Sequence, residues 1–285
     1  MTQQSVVITG GTQGLGFGYA REFLQRGCHV TICGRTAGTV AEAVARLRLL
    51  AAGGASVAGR ACEMANIEDV QALWNLATAE FGRVDVWLNN AGYARTGADF
   101  ADTTPQQIEA MVRGNVIGSI NAAQVVIAGM KQQLGDTSIV GSRGRLYLTL
   151  GGGGASGRVV PGMTVYSTTK RAVKYLAGAL VKERREARDD SILIGTISPG
   201  VNITEGMLRE FGAVSPAVRT KALKQLNFIG EHVETTTPWI VERILADRTQ
   251  GNAITWLTTG RLARRAFAML FGAKRDVLSR YGLKA

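Results

Sequence analysis

Tyr166 and Lys170 stand four residues apart in a stretch, 164–188, whose apolar positions recur at helical spacing. Residues at i and i+4 share one face of a helix. An ammonium beside a phenol stabilises the phenolate, so the pair is expected to draw the tyrosine pKa below its usual ~10 and make it a proton-transfer group. A second chemistry-bearing segment lies near the start of the chain. The apolar run Val6-Val7-Ile8 enters Thr9-Gly10-Gly11-Thr12-Gln13-Gly14-Leu15-Gly16-Phe17-Gly18 and then a helical pattern. A tight turn needs Gly10, a backbone passing close to a pyrophosphate needs Gly14, and close helix-to-strand packing needs Gly16; the helix N-terminus adds free N–H groups and a positive dipole end. With a strand before it and a helix after it, the run reads as a dinucleotide loop rather than an ordinary glycine-rich turn. At the end of the second strand, Ile32-Cys33-Gly34-Arg35, no carboxylate is present to accept ribose hydroxyls. Gly34 leaves room and Arg35 supplies a planar cation suited to a 2′-phosphate, which favours NADP(H) over NAD(H); the competing reading is a solvated loop arginine. Glu63 either accepts from the adenine amino group or is a surface carboxylate.

The elements that must position these residues alternate. Apolar runs near 5–9, 28–33, 57–62, 84–89, 145–150 and 192–197 are separated by helical patterns near 14–26, 38–51, 66–81, 104–130 and 164–188. Alternation of this kind implies parallel strands with crossover helices, and strands that are apolar on both sides belong in a sheet covered on both faces. The expected fold is α/β: a Rossmann-type doubly wound parallel sheet in a single domain. The chain's 285 residues suit one large domain, and 46% hydrophobic with 19% charged residues excludes a disordered chain or a membrane-spanning bundle. Three cysteines and two histidines are too few for a disulfide framework or a metal site, and suit a reducing compartment, cytoplasmic or organelle-stromal. No secretion signal or transmembrane stretch is visible. Residues 131–144 read as a polar surface loop.

With Asn89-Asn90-Ala91-Gly92 after the fourth strand, Tyr166-Ser167-Thr168-Thr169-Lys170 on a later helix and Ser198-Pro199-Gly200 after the next strand, the sequence resembles the short-chain dehydrogenase/reductase superfamily over about 1–250. The resemblance implies that Tyr166 protonates a carbonyl oxygen as hydride reaches its carbon. It implies that Asn115 holds a water behind Lys170 in a proton relay, where the plain alternative is a helix-packing amide. It implies cofactor contacts from Thr9, Gly10, Thr12, Gly14, Leu15, Gly16, Arg35, Glu63, Asn89, Ala91, Gly92, Tyr166, Lys170, Pro199 and Gly200, and from Thr204 near the nicotinamide carboxamide. A substrate lid would span about 205–230, and pairing of the long helices near 104–130 and 164–188 would give a homodimer or homotetramer.

One departure stands out. The superfamily's serine, about a dozen residues before the tyrosine, is replaced by Gly151-Gly152-Gly153-Gly154-Ala155-Ser156-Gly157-Arg158, with Gly153 at its place. Either Ser156 reaches in, or backbone N–H groups form an oxyanion hole, or catalysis is lost and the chain is an NADPH-binding scaffold. This glycine run, with Pro161 and Thr169-Lys170-Arg171 around the tyrosine, and the tail Ala253-Ile254-Thr255-Trp256-Leu257-Thr258, is similar to the chlorophyll(ide) b reductase branch. That implies reduction of a pigment formyl group; another bulky apolar carbonyl compound, such as a steroid, polyketide or quinone, is the enzymatic alternative.

Charge is unevenly placed. Of a net +11, residues 260–285 carry six, from seven Lys or Arg against Asp276. Ala263, Ala266, Phe267, Leu270 and Phe271 form a stripe from which Arg261, Arg264 and Arg265 point away. The segment is expected to be a basic amphipathic extension following a domain of 1–259. It would touch an anionic membrane surface, or pack its stripe on the core or a sister subunit. No nucleic-acid-binding module accompanies the charge.

Overall fold

The computed structural model describes residues 3–97, 99–133, 142–211, 216–272 and 274–283, with the side chains of 209–222 left undescribed. Positions 134–141 of the expected surface loop therefore lie outside the described residues. The chain begins β1 (Ser5–Ile8), α1 (Gly14–Gln25), β2 (His29–Gly34), α2 (Ala37–Arg48), β3 (Val57–Ala61), α3 (Ile67–Phe81) and β4 (Val86–Asn89). It continues with α4 (Pro105–Val112), α5 (Gly118–Gln132), β5 (Gly144–Thr149), α6 (Thr164–Glu186) and β6 (Ile192–Ser198). Then come β7 (Val201–Ile203), α7 (Glu205–Phe211), α8 (Pro216–Ile229), β8 (Gly230–His232), α9 (Val233–Ala246), β9 (Ala253–Thr255) and α10 (Thr259–Leu270).

Seven strands form one parallel sheet in the order β3-β2-β1-β4-β5-β6-β9. The order reverses between β1 and β4, and ligands of such sheets bind beyond the strand C-termini at that reversal. One face packs on α3, α5 and α6 through Leu73, Trp74, Val126 and Val173; the other packs on α1, α2 and α9 through Phe23, Leu24, Leu47 and Ile240. Central strands are therefore buried on both sides, which is why they are continuous apolar runs. β7 and β8 make a separate parallel ribbon, Val201↔Gly230 to Ile203↔His232, above the sheet edge.

Local chemistry sets several boundaries. Asn66 caps α3 by accepting from Asp69 N, and Gly82 ends it at φ 77°. Thr104, Pro105 and Gln107 form a capping box at the start of α4. The expected continuous helix 104–130 is instead two helices joined by a π-helical turn, Arg113–Ile117, which contains Asn115. Helix α9 has no counterpart among the expected elements, and it holds Pro238 in its interior, where proline ordinarily breaks a helix. Tertiary contacts overrule it: Ile240, Val241 and Ile244 bury in the core, and the buried Arg145 of β5 donates to Ile244 O at the helix C-terminus (2.7 Å).

Candidate active site

The strand C-termini around the reversal open into one continuous cleft of about 2960 Å³. Pockets for single drug-sized ligands run to roughly 1,000 Å³, so this one has room for a dinucleotide and a second, bulky molecule. The glycine loop forms one side. Gly10 (φ 66°) and Gly14 (φ 55°) hold backbone conformations that favour glycine, and a Cβ on Gly16 would sit 2.0 Å from Gly10 O. The helix therefore presses on the loop as its spacing predicts. The first turn of α1 has no acidic residue and no side-chain cap at Gln13, which leaves N–H groups and the dipole end to serve an anion. Glycine cradle and uncapped helix together fit the pyrophosphate of a dinucleotide.

Gly10, Thr12, Gly14, Leu15, Gly16, Arg35, Glu63, Ala91, Gly92, Pro199, Gly200 and Thr204 all line the cleft. Arg35 is exposed there, and Arg46, which the sequence did not single out, also lines it while stacking 4.5 Å from the Phe17 ring. Glu63 uses one carboxylate oxygen to accept from Ala65 N (3.1 Å). Thr204 caps α7 by accepting from Met207 N, and its Cγ2 would lie 3.2 Å from a Cβ on Gly14.

Thr9 and Asn89 are placed differently from the expectation of direct contact. Both are buried behind the cleft: Thr9 Oγ1 accepts from Asn90 N (3.0 Å) and Ala91 N (2.9 Å), and Asn89 Nδ2 donates to Ser119 Oγ (2.9 Å). They tie the ends of β1 and β4 together. Asn115 is also outside the cleft lining and fully buried; its amide accepts from Tyr93 N (2.8 Å) and donates to Tyr93 O (2.8 Å) and Thr169 Oγ1 (2.9 Å). The side chain is spent on holding the turn after Gly92, and its carbonyl accepts from Ser119 Oγ (2.5 Å). Even so, a Cβ on Gly92 would be 3.0 Å from Asn115 Oδ1 and 3.2 Å from Lys170 Nζ, so amide and ammonium converge on one point.

Helix α6 presents Tyr166 and Lys170 to the cleft as the i, i+4 spacing requires. Lys170 Nζ donates to Thr149 O (3.0 Å) and lies 5.9 Å from the centroid of the Tyr166 ring. The expected lowering of the phenol pKa is not found. Burial pushes Tyr166 up to about 12 and Lys170 down to about 8, because the protein interior penalises each charged form. At neutral pH the phenol keeps its proton, the state that can give one away. Thr149 Oγ1, absent from the sequence-based candidates, is buried without a hydrogen-bond partner in the same cleft.

The glycine run explains the missing serine. Gly153 sits at φ 80°, and a Cβ there would be 2.2 Å from Arg158 O, so a side chain is excluded. Ser156 does not replace it: its hydroxyl donates to Gly153 O (3.4 Å), accepts from Arg158 N (3.2 Å) and is exposed. Gly151 and Gly152 press directly on the tyrosine; a Cβ on Gly151 would lie 2.6 Å from Tyr166 Oη, and one on Gly152 2.6 Å from the ring. Ser167 donates to Gly152 O and pins the loop to α6.

The tail helix α10 turns Arg261 and Arg265 inward, leaves Arg264 exposed and turns its stripe outward. Phe267, Leu270 and Phe271 are 62%, 82% and 75% exposed. The packing of that stripe on this chain's own core is thus overturned.

A parallel sheet reversing at a glycine cradle, with a half-buried tyrosine and a buried lysine on one helix face over the same cleft, defines a Rossmann oxidoreductase that takes a nicotinamide cofactor. Residues 4–211 match the short chain dehydrogenase family, and the chain belongs to that family. The probable chlorophyll(ide) b reductase NYC1 of Oryza sativa subsp. japonica is 30% identical over 273 residues, 91% of this chain and 51% of that protein. The chlorophyll(ide) b reductase NOL of the same plant is 29% identical over 95% of this chain and 77% of its own length. A 3alpha-hydroxysteroid dehydrogenase of Mediterraneibacter gnavus is 29% identical over 70% of this chain and 74% of its own length. The chain thus spans about half the length of the NYC1 protein. Levodione reductase shares the fold at a TM-score of 0.77 with 23% identity, over 92% of this chain and 99% of its own.

Proposed function

We propose that the chain is an NADPH-dependent carbonyl reductase whose substrate is the formyl group of chlorophyll b or chlorophyllide b. The observation that carries this is the glycine run packed on a protonated Tyr166, in a chain about 30% identical to relatives named for that reaction. The cofactor, when bound, supplies hydride to the formyl carbon. Tyr166 gives its O–H proton to the oxygen as the C=O electron pair moves there, leaving a hydroxymethyl product and a phenolate. Lys170, charged at neutral pH, stabilises that phenolate, and Asn115 keeps the neighbouring Tyr93 turn in place. Gly154 and Gly157 N–H are spent within the loop, on Gly151 O (2.8 Å) and Gly153 O (2.7 Å), so the oxyanion is assigned to the N–H groups of Gly151, Gly152 and Gly153. Arg35 reads the 2′-phosphate.

Assembly and location belong to the same proposal. Val112, Ile120 and Tyr175 are exposed apolar side chains on α4, α5 and α6, a face suited to pairing with a second copy. The two chlorophyll(ide) b reductases named above are chloroplastic, and among the described residues no helix is long and apolar enough to cross a membrane. The outward face of α10, flanked by exposed Arg264 and Lys274, suits peripheral contact with an anionic membrane; a Leu270→Glu variant that still sediments with anionic liposomes as the parent does would remove that contact.

The deciding experiment is NADPH-dependent reduction of chlorophyllide b by the parent and by Tyr166→Phe. The variant is expected to lose turnover at least 1,000-fold, at the upper part of the usual range for acid–base groups (roughly 10²–10⁴), and to bind NADPH as before. Unchanged turnover would overturn the mechanism. NADPH binding by the parent without turnover of any carbonyl compound would favour a scaffold.

A further inference from the structure

The chain beyond β9 folds back over the cleft. Arg261 lies 3.6 Å from the Trp256 ring centroid and 5.2 Å from that of Trp239. Arg265 pairs with Glu231 and donates to Phe228 O and Ile229 O (3.3 Å each). After the turn at Gly272, Arg275 donates to Gly230 O (2.7 Å) and Asn227 O (3.2 Å) and lies 3.5 Å from Glu231. Glu231 is only 7% exposed. A buried carboxylate costs free energy unless it is compensated, and both of its cations come from the C-terminal segment, which is thereby held down.

That segment then joins the site. Val277 and Leu278 bury against Ile203, Leu223 and Leu226 in a core cluster separate from the two on the sheet. Tyr281 donates to Ile203 O (3.3 Å), one residue before Thr204, and its ring stands 5.8 Å from His232. Leu262 and Tyr281 line the cleft, with Arg280 paired to Glu234 (3.2 Å) at the solvent side. Apart from Ile203 and Thr204, all of these residues lie beyond residue 211, where the match to the family ends.

We propose that residues 259–272 and 274–283 form the outer wall of the substrate site, and that Leu262 and Tyr281 select bulky, flat carbonyl compounds over small ones, with Glu231 as the latch for Arg265 and Arg275. The inference rests on the cleft being a carbonyl reductase site and specifies which part of the chain sets its substrate class. A small aldehyde needs only the Tyr166 end of the cleft, whereas a polycyclic one must extend across it to the far wall.

The test compares chlorophyllide b and 9,10-phenanthrenequinone with benzaldehyde, all with NADPH. Tyr281→Ala, and separately Arg265→Ala combined with Arg275→Ala, are expected to lower the ratio of kcat/KM for the polycyclic compounds to that for benzaldehyde at least 10-fold, mostly through KM. NADPH affinity and cooperative thermal unfolding check that the variants are folded. An unchanged ratio in folded Tyr281→Ala overturns the proposal, as does a parent protein that reduces neither polycyclic compound. A parent that reduces phenanthrenequinone but not chlorophyllide b overturns the pigment assignment alone, and the wall is then judged on the quinone.

Discussion

Replacing Lys170 with Met removes a charge that the fold holds away from water. Lys170 is 4% exposed, and its proton is lost near pH 8 instead of the usual 10.5 because burial disfavours the charged form. A depression of that size costs the folded state about 3 kcal/mol at pH 7, where lysine is charged both folded and unfolded. Between pH 8 and 10.5 the unfolded chain binds more protons than the folded one, so stability rises with pH and the cost falls to about 2 kcal/mol at pH 9. Against this, Met leaves Thr149 O without its 3.0 Å donor, a loss of about 1–3 kcal/mol. The variant is thus expected to be as stable as the parent at pH 7 or more stable, by up to about 2 kcal/mol, while losing turnover. The sharper signature does not depend on the lost hydrogen bond: the stability of the variant relative to the parent should fall by about 1 kcal/mol between pH 7 and pH 9. Urea unfolding of both proteins at the two pH values measures it, since other titrating groups cancel in the difference. A difference that does not move with pH would mean that Lys170 titrates like a surface lysine, and the burial argument would fail.

Other consequences follow from the same geometry. Gly151→Ala places a methyl 2.6 Å from Tyr166 Oη and should reduce kcat at least 10-fold with little change in NADPH affinity, read by steady-state kinetics and cofactor titration. Gly153→Ser, which puts a serine where the superfamily usually has one, should lower rather than raise activity, because φ is 80° and its Cβ meets Arg158 O; an increase in kcat would refute the account of the loop. Arg35→Asp should raise the KM for NADPH at least 10-fold and improve use of NADH, and equal discrimination before and after would return Arg35 to the role of a surface arginine.

Much of the frame was legible because it rests on local pattern. The alternation of apolar runs and helical periods placed six of the sheet's seven strands and, apart from the break at Arg113–Ile117, five helical stretches within a few residues, and Gly10, Gly14 and Gly16 announced their turn through spacing alone. What escaped depended on contacts far apart in sequence. Helix α9 forms despite Pro238 because Ile240 and Ile244 fill the core and Arg145, about a hundred residues away, caps its end. The break between α4 and α5 is a π-helical turn organised around a buried Asn115, whose partners Tyr93 and Thr169 lie 22 and 54 residues away.

Spacing determined that Tyr166 and Lys170 share a helix face, and that a strand, a glycine loop and a helix make a dinucleotide cradle, since both are properties of consecutive residues. Tertiary structure decided what those groups can do. Enclosure by the surrounding fold pushes the phenol up to about 12 and the ammonium down to about 8, reversing the expected direction for Tyr166, because desolvation depends on everything packed around a group and not on its neighbour four residues away. The basic tail was visible as seven cations and an apolar stripe. Only the fold turned Arg261, Arg265 and Arg275 inward against tryptophan rings and a buried carboxylate, left the stripe facing out, and brought Tyr281 to the wall of the cleft.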